Sequence, residues 1–111
     1  IRSAKPEQLA AFYRLLGFEF VFHQHGNGPL HYSAELAGVV LEIYPLLPKQ
    51  SQPDTGLRLG FVVEDLEACL APLLVEEVVF VAKPKHSPWG YRCVIRDPEG
   101  RKIELVEPGI E

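Results

Sequence analysis

The apolar positions of the chain follow a helical period in two segments and a strand period in the others, and their order repeats once. Residues 6–16 carry apolar side chains at helical spacing, with Pro6 at the start and Gly17 at the end, which predicts a helix. Runs rich in strand-forming residues follow, at 18–24, 30–36 and 39–44. Residues 45–56 hold three prolines and form a predicted linker. The first half therefore reads as one helix and three strands.

The second half begins with a strand, so it has one predicted strand more than the first. Its segments are a strand at 57–63, a helix at 65–74 and strands at 78–82, 91–97 and 101–107. Pro72 lies inside the helical segment, and we expect it to end or kink that helix early. Superposing the two helices aligns Ile1 with Phe61, so the expected first strand of the first half lies mostly before Ile1. The full plan is a tandem βαβββ repeat, in which neither half buries its sheet face alone.

Three segments carry a resemblance to a known family: LAAFYRLLGFEF, LRLGFVVEDLEA and PWGYRCVIRDPEGRKIELVEP. The chain resembles the glyoxalase/bleomycin-resistance/dioxygenase superfamily, also called vicinal oxygen chelate proteins, and DPEG followed by IEL is the most specific part. The resemblance implies an α+β fold in which tandem βαβββ modules curl their mixed sheets around a cleft, usually in a homodimer. We expect a single domain over residues 1–111, built of the repeats 1–47, with its first strand truncated, and 57–108.

Composition and charge narrow the classes of partner. The formal net charge is −4 and no basic cluster stands out, so nucleic acid is not an expected partner. No apolar run approaches the roughly 18 residues that span a bilayer, so a membrane is not expected either. Cys69 and Cys93 lack metal-type spacing and are expected to be reduced thiols of a cytoplasmic protein. The partners that the resemblance implies are a small-molecule ligand and a second copy of the chain in a homodimer.

One glutamate stands in the centre of an apolar strand in each half, Glu42 in LEI and Glu104 in IEL. A carboxylate in such a strand needs a partner if it is to be buried. Strand alternation places the aliphatic neighbours of each glutamate under the helices, and the glutamates on the concave side or in solvent. Two interpretations are therefore open, a shared cleft and a solvated sheet face.

The turn DPEG fixes the expected pairing of the last hairpin. It fits a type I turn followed by a bulge, which pairs Asp97 with Arg101. Val94 then lies opposite Glu104. Arg92, two residues before Val94, shares the face of the glutamate.

A two-residue turn at 37–38 fixes the expected pairing of the other hairpin. It sets Ser33 opposite Glu42 and His31 opposite Tyr44. These side chains would share one face of the sheet, because residues that pair directly across strands point to the same side.

The predicted cleft combines side chains from both halves. Its members are Glu42, Glu104, Arg58, Arg92, Ser33 and His31. The resemblance implies that residues 83–90 form a flap loop beside the cleft, where Trp89 would cover a ligand or pack against the dimer partner. His23 and His25 adjoin a glycine-rich turn and are expected to lie in solvent.

The resemblance also bears on metal binding. In metal-dependent members of the family two ligands come from each half, and two of these positions fall on Glu42 and Glu104. A third falls on Arg58, whose guanidinium stays protonated and does not coordinate metals. The fourth lies three residues before Ile1. We therefore expect no metal cofactor, with a divalent Zn, Ni, Fe or Mn ion as the alternative.

Arg58 has two open roles. A guanidinium between the two carboxylates would supply the positive charge that a metal supplies elsewhere, as a structural ion-pair bridge. Alternatively, Arg58 and Arg92 would hold an anionic ligand group, with the glutamates orienting them.

The leading functional hypothesis is a metal-free protein that binds a small polar or aromatic ligand in a dimeric cleft. The bleomycin-resistance branch of the family binds a cationic ligand without chemistry, which the net charge of −4 permits. The alternative is a divalent-metal-dependent lyase, isomerase or extradiol-type dioxygenase, which requires a ligand before Ile1. A third hypothesis, metal-independent acid–base catalysis, requires Glu42 or Glu104 to be freed from arginine. No residue is assigned a catalytic role, and the sequence identifies no substrate.

Overall fold

The same order of elements occurs twice along the chain. A computed structural model describes residues 1–24 and 26–109, and within these ranges the chain forms two helices and eight strands. They are β1 (Arg2–Ser3), α1 (Pro6–Leu15), β2 (Val21–His23), β3 (His31–Leu36), β4 (Val39–Pro45), β5 (Arg58–Val62), α2 (Leu66–Val75), β6 (Phe80–Ser87), β7 (Gly90–Arg96) and β8 (Lys102–Pro108). The contacts divide the chain into unit 1, Ile1–Asp54, and unit 2, Thr55–Glu111. Each unit is a βαβββ module, which confirms the predicted α+β fold.

Each unit has one mixed sheet of four strands with the same strand order. The order is β1-β4-β3-β2 in unit 1 and β5-β8-β7-β6 in unit 2. In both, the first strand runs parallel to the last, and the other neighbours are antiparallel. Arg2 pairs with Tyr44 in unit 1, and Val62 pairs with Val106 in unit 2. This register agrees with the alignment of the two halves that the helices predicted, in which Arg2 corresponds to Val62.

Helix α1 begins and ends where the sequence predicts. Pro6 is its first residue, and Gly17, with φ +106°, follows its end in the left-handed conformation that favours glycine. Its buried side chains are Leu9, Ala10 and Tyr13. They face the sheet, because α1 contacts β3 and β4. The helical spacing of these residues therefore places the core of unit 1 between α1 and its sheet.

Strand β2 is shorter than the predicted run at 18–24. Phe18 is only 2% exposed, and its ring packs edge-on against Tyr13 at 6.4 Å between centroids. The apolar start of the run therefore belongs to the core beside α1, and the paired strand begins at Val21.

Helix α2 corrects one expectation. It begins after Asp65, whose Oδ1 accepts a hydrogen bond from the amide of Ala68 at 3.1 Å. It continues through Pro72 to Val75, so the expected early end at Pro72 is wrong. Its buried side chains are Leu66, Leu70 and Leu73. Their burial holds the helix together although the proline removes one backbone hydrogen bond. Within the described ranges, no helix is long and apolar enough to cross a membrane.

A second correction concerns residues 83–90, which were expected to form a loop. Strand β6 runs as far as Ser87, and a two-residue turn joins it to β7. Pro84 is tolerated because β6 lies at the edge of the sheet, and the register against β7 shifts within the strand. The segment is therefore the arm of a hairpin, with Trp89 at its tip.

The predicted register is confirmed for the hairpin of β3 and β4 and for the hairpin of β7 and β8. Ser33 pairs with Glu42, and Val94 pairs with Glu104. In the first hairpin both turn residues have positive φ, +52° and +81°, as a two-residue type I′ turn requires. Turn chemistry therefore places each glutamate where the sequence predicts.

The turn between β7 and β8 is built around a buried arginine. The amide of Asp97 donates to the carbonyl of Arg101 at 2.9 Å, which is the predicted pairing. Arg101 is 0% exposed, and its Nη1 donates to Asp97 Oδ2 at 3.2 Å and to Glu99 Oε1 at 2.9 Å. Burial lowers the pKa of Arg101, but the two carboxylates raise that pKa by more, so it lies above its usual value. The guanidinium is therefore a charged part of the core.

Candidate functional site

In unit 2, the glutamate of β8 is bound by an arginine of β7. Arg92 Nε donates to Glu104 Oε2 at 2.6 Å, and Arg92 Nη2 donates a second hydrogen bond to the same oxygen. Arg92 pairs directly with Val106, so it reaches Glu104 along the diagonal of the two strands. Both side chains are about one-third exposed, at 32% and 31%. The pair therefore lies at the surface of the sheet and borders open space.

Arg58 approaches the same carboxylate less closely. Its Nη2 lies 3.8 Å from Glu104 Oε2, and its side chain is 50% exposed. Among residues 1–24 and 26–109, Arg58 forms no side-chain hydrogen bond, and the arginine that donates hydrogen bonds to Glu104 is Arg92. The Arg58 guanidinium therefore keeps donors that can bind another group.

Trp89 is held at the tip of the β6–β7 hairpin. Ser87 Oγ donates to the carbonyl of Gly90 at 2.9 Å and accepts from the amide of Trp89 at 3.2 Å. Gly90 has φ +129°, and a Cβ there would overlap the backbone of Glu107, so this turn needs glycine. The indole is 75% exposed although its backbone is fixed in this way.

These side chains surround an open cavity of about 470 Å³ in unit 2. Its walls are formed by Arg58, Trp89, Arg92, Glu104 and Val106. An aromatic and an aliphatic wall face a small number of polar groups, which is the usual composition of a small-molecule site.

The sheet face that holds this cavity carries an excess of positive charge. Direct pairing across strands places Arg58 beside Lys102, Lys102 beside Arg96, and Lys85 beside Arg92. The basic residues of this face are Arg58, Lys85, Arg92, Arg96 and Lys102. Within the described strands, Glu104 is the acidic residue on the same face. The local charge is therefore opposite in sign to the net charge of the chain, −4.

In unit 1, the glutamate of β4 faces a histidine of β3. His31 Nε2 lies 3.2 Å from Glu42 Oε2, and His31 Nδ1 lies 3.2 Å from the carbonyl of Pro29. His31 is 1% exposed, while the side chain of Glu42 is 36% exposed. Both ring nitrogens face an acceptor, so the two contacts are favourable together when both nitrogens carry hydrogen.

A row of three rings and one guanidinium crosses the four strands of unit 1 at this place. His31 stacks on Tyr44 with 4.1 Å between ring centroids and 9° between planes, and on its other side His23 lies at 4.8 Å. The guanidinium of Arg2 lies over the ring of Tyr44 at 4.8 Å. The expected solvent position of His23 is wrong, because it ends β2 and is half-buried against His31. His25 lies outside the described residues.

The predicted site residues fall into two groups, one in each unit. Unit 2 groups Arg58, Trp89, Arg92 and Glu104. Unit 1 groups Glu42, His31 and Ser33. The sequence prediction omitted Val106 from the site, although strand alternation two residues after Glu104 already places it on the same face. A single cleft that contains both glutamates stays a prediction, and so does ligand binding by any of these residues.

The side chains of unit 2 do not fit a divalent metal. Of the two family ligand positions, one is Arg58, and the other is Glu104, whose Oε2 is approached by two guanidinium groups. One oxygen of this carboxylate is therefore already bound to a guanidinium, and a cation would be placed beside two positive charges. Across the described part of the chain, no group of three or more His, Cys, Asp or Glu side chains is placed to hold a metal ion.

Comparison with known proteins agrees with this architecture. A family model described as Glyoxalase/Bleomycin resistance protein/Dioxygenase superfamily matches residues 1–105. Comparison with curated protein sequences gives no significant match. Among solved structures, the chain is 25% identical to TnmS3, an antibiotic binding protein from Streptomyces sp. CB03234, with a TM-score of 0.76 over 98% of this chain and 91% of that chain.

Two further structures share the fold. A glyoxalase/bleomycin resistance protein from the same Streptomyces strain is 25% identical, with a TM-score of 0.71 over 96% of this chain and 94% of that chain. A glyoxylase/bleomycin resistance protein/dioxygenase domain from Frankia sp. EAN1pec is 16% identical, with a TM-score of 0.79 over 97% of this chain and 92% of that chain. The last likeness concerns the fold alone.

Proposed function

Because the chain belongs to the glyoxalase/bleomycin resistance protein/dioxygenase superfamily, we propose that it is a metal-free protein that binds a small polar or aromatic molecule. The observation that carries the proposal is the cavity of about 470 Å³ in unit 2, where an exposed indole lies beside Arg58. A volume of this size suits a small ligand. The similarity to an antibiotic binding protein supports binding without reaction.

The surroundings of Glu104 favour binding over acid–base catalysis. A catalytic carboxylate would have to be free of arginine, whereas Arg92 donates two hydrogen bonds to Glu104 Oε2. Removing Arg92 would leave the glutamate without these donors. In this proposal Glu104 therefore orients Arg92 at the wall of the cavity.

The proposal includes a homodimer, in which the ligand site is a dimeric cleft, and a cytoplasmic location. Light scattering during size-exclusion chromatography tests the dimer, because the mass of one chain is 12.5 kDa. A mass of one chain at micromolar concentration would remove the dimer from the proposal and leave the binding function to be tested by itself.

The binding function is tested by metal and ligand titration. Protein purified without chelator should contain no stoichiometric metal, and calorimetry with Mn²⁺, Fe²⁺, Ni²⁺ and Zn²⁺ should detect no binding. A library of small polar and aromatic molecules should contain binders that change the fluorescence of Trp89, which is the single tryptophan of the chain. Stoichiometric metal would overturn the metal-free proposal and favour a lyase, isomerase or dioxygenase.

A pair of matched variants locates the binding. Val106→Phe places a ring in the cavity and should abolish the fluorescence change. Val75→Phe is the same substitution at the end of α2, where the side chain is 79% exposed, and it should leave the fluorescence change intact. Equal effects of the two variants would place binding outside the cavity.

A further inference from the structure

Building on the proposed binding function, we propose that the cavity of unit 2 selects an anionic aromatic ligand, a planar ring that carries a carboxylate or a similar acidic group. The three elements of this assignment are the unengaged donors of Arg58, the positive field of the sheet face and the exposed ring of Trp89.

Arg58 is the group that would bind the acidic part of the ligand. Arg92 uses Nε and Nη2 on Glu104 Oε2, so the charges of these two side chains offset each other. Arg58 then stays 50% exposed, with its nearest carboxylate oxygen 3.8 Å away. A guanidinium in this state offers a planar pair of donors that matches a carboxylate.

The surrounding charges favour an anion and disfavour a cation. The lining itself has two arginines and one glutamate, and three further basic residues lie on the same sheet face. A cleft lined by one sign of charge concentrates ligands of the other sign. This preference is the reverse of the cationic ligand that the bleomycin-resistance branch of the family implies.

Trp89 is the group that would bind the ring. Its indole is 75% exposed, while the hydrogen bonds of Ser87 and the restricted backbone of Gly90 fix the turn that carries it. An exposed aromatic ring on a rigid turn stacks with little loss of conformational entropy. Val106 supplies the apolar wall of the same cavity.

Three probes of matched shape test the charge preference: naphthoate, naphthamide and naphthylmethylammonium, which are negative, neutral and positive at neutral pH. Calorimetry should give an affinity for naphthoate about tenfold or more above the other two, because naphthoate alone forms an ion pair with Arg58. Arg58→Gln should reduce the naphthoate affinity to that of naphthamide. Arg14→Gln, the same substitution at an exposed position of α1, should not change it.

The outcomes separate this assignment from the proposed function. Equal or tighter binding of the amide or the ammonium probe would overturn the anionic preference and leave the binding function standing. Tight naphthoate binding that survives Arg58→Gln would overturn the role of Arg58. Absence of binding by all three probes would overturn the assignment, and absence of any binder in the wider library would overturn the binding function as well.

Trp89 also measures the local field without any ligand. Iodide should quench its fluorescence more than caesium ions do, relative to the same pair of quenchers on free N-acetyltryptophanamide, because the surrounding charges attract the anion. Arg58→Gln should shrink this difference, and so should added salt. Equal quenching by the two ions in the wild-type protein would contradict the positive field.

Discussion

In unit 1 the strand glutamate, Glu42, faces a histidine, whereas its counterpart in unit 2, Glu104, faces an arginine. The two basic residues occupy equivalent positions, because His31 and Arg92 each lie two residues before the residue that pairs with the glutamate. The repeat therefore keeps one geometry, a carboxylate on the last strand with a basic side chain on its diagonal. The chemistry of the basic partner differs between the two copies.

The same comparison extends to the sheet position that borders the cavity in unit 2. Tyr44 occupies the position that corresponds to Val106, and its ring covers His31 by stacking. Unit 1 thus fills this part of its sheet face with its own aromatic side chains. Unit 2 has the smaller valine there, and the space between Val106 and Trp89 stays open. The two repeats thus differ here in the size of one side chain, a stacked tyrosine in unit 1 and a valine at the wall of the cavity in unit 2.

The largest expected effect concerns the buried guanidinium of Arg101 in the β7–β8 hairpin of unit 2. Arg101→Met should destabilise the protein by about 3–5 kcal/mol, because it leaves the buried carboxylate of Asp97 without its ionic partner. Urea unfolding at neutral pH measures the change. Unit 1 has no such group in its hairpin turn, which is formed by Ala37 and Gly38.

Arg14→Met is the matched control for this change. Arg14 is exposed and interacts with the rings of Phe20 and Tyr32 at 5.9 Å, so its loss should cost less than about 1 kcal/mol. If both variants lost the same small amount, the buried network would contribute little, and the β7–β8 turn would depend on its backbone geometry alone.

The comparison also shows which parts of the molecule follow from sequence. Pairing of Ser33 with Glu42 and of Val94 with Glu104 was predictable, because turn residues fix register and register fixes the face of every side chain. Helix α1 was predictable from its proline, its glycine and its apolar spacing. These features depend on local chemistry within a few residues.

The remaining features depend on contacts that no local pattern encodes. Glu104 binds Arg92 and not Arg58 because the side chain of Arg92 reaches it diagonally from β7, whereas Arg58 on β5 stays 3.8 Å away. Strand β6 contains Pro84, which argues against a strand unless the strand is known to lie at an edge. The position of His23 depends on its stacking partner across the sheet. In each case the deciding partner lies on a neighbouring strand of the sheet.

A second prediction uses the core position under the unit 2 sheet, where Cys93 corresponds to Tyr32 of unit 1. The pKa of the Cys93 thiol is raised to about 11, chiefly by burial, with smaller contributions from Cys69 and Glu104 and an opposing effect of Arg92. The unfolded thiol has a pKa near the ordinary value of 9.0, so the folded state holds more protons between pH 9 and pH 11. Stability should therefore be unaffected by this group below about pH 9 and fall by roughly 2 kcal/mol as pH rises towards 11.

Cys93→Ala isolates this effect from the other groups that titrate at high pH. The variant loses packing at every pH, but its deficit relative to wild type should shrink as pH rises from 9 to 11. Chemical unfolding at several pH values measures the difference. A deficit that stays constant over this range would mean that Cys93 ionises equally in both states.

The smallest expected effect tests the comparison of the two pairs directly. Arg92→His gives unit 2 the basic residue of unit 1, and an imidazole loses its charge near neutral pH whereas a guanidinium does not. A histidine that gains a carboxylate partner has its pKa raised on folding, so its contribution is present at low pH and is lost as pH rises through that value. The stability deficit of the variant should therefore be small near pH 5 and reach about 1 kcal/mol near pH 8, since the pair is one-third exposed.

Arg92→Gln is the control for this change. Glutamine is neutral at both pH values, so the loss of stability relative to wild type should be the same at pH 5 and pH 8. Fluorescence-detected unfolding at the two pH values suffices for both variants. If the histidine and glutamine variants lose equal stability at low pH, a protonated imidazole does not replace the guanidinium, and the two pairs share position but not interaction. If the histidine variant recovers at low pH, a protonated imidazole replaces the guanidinium on Glu104, and this position of the repeat accepts either basic side chain.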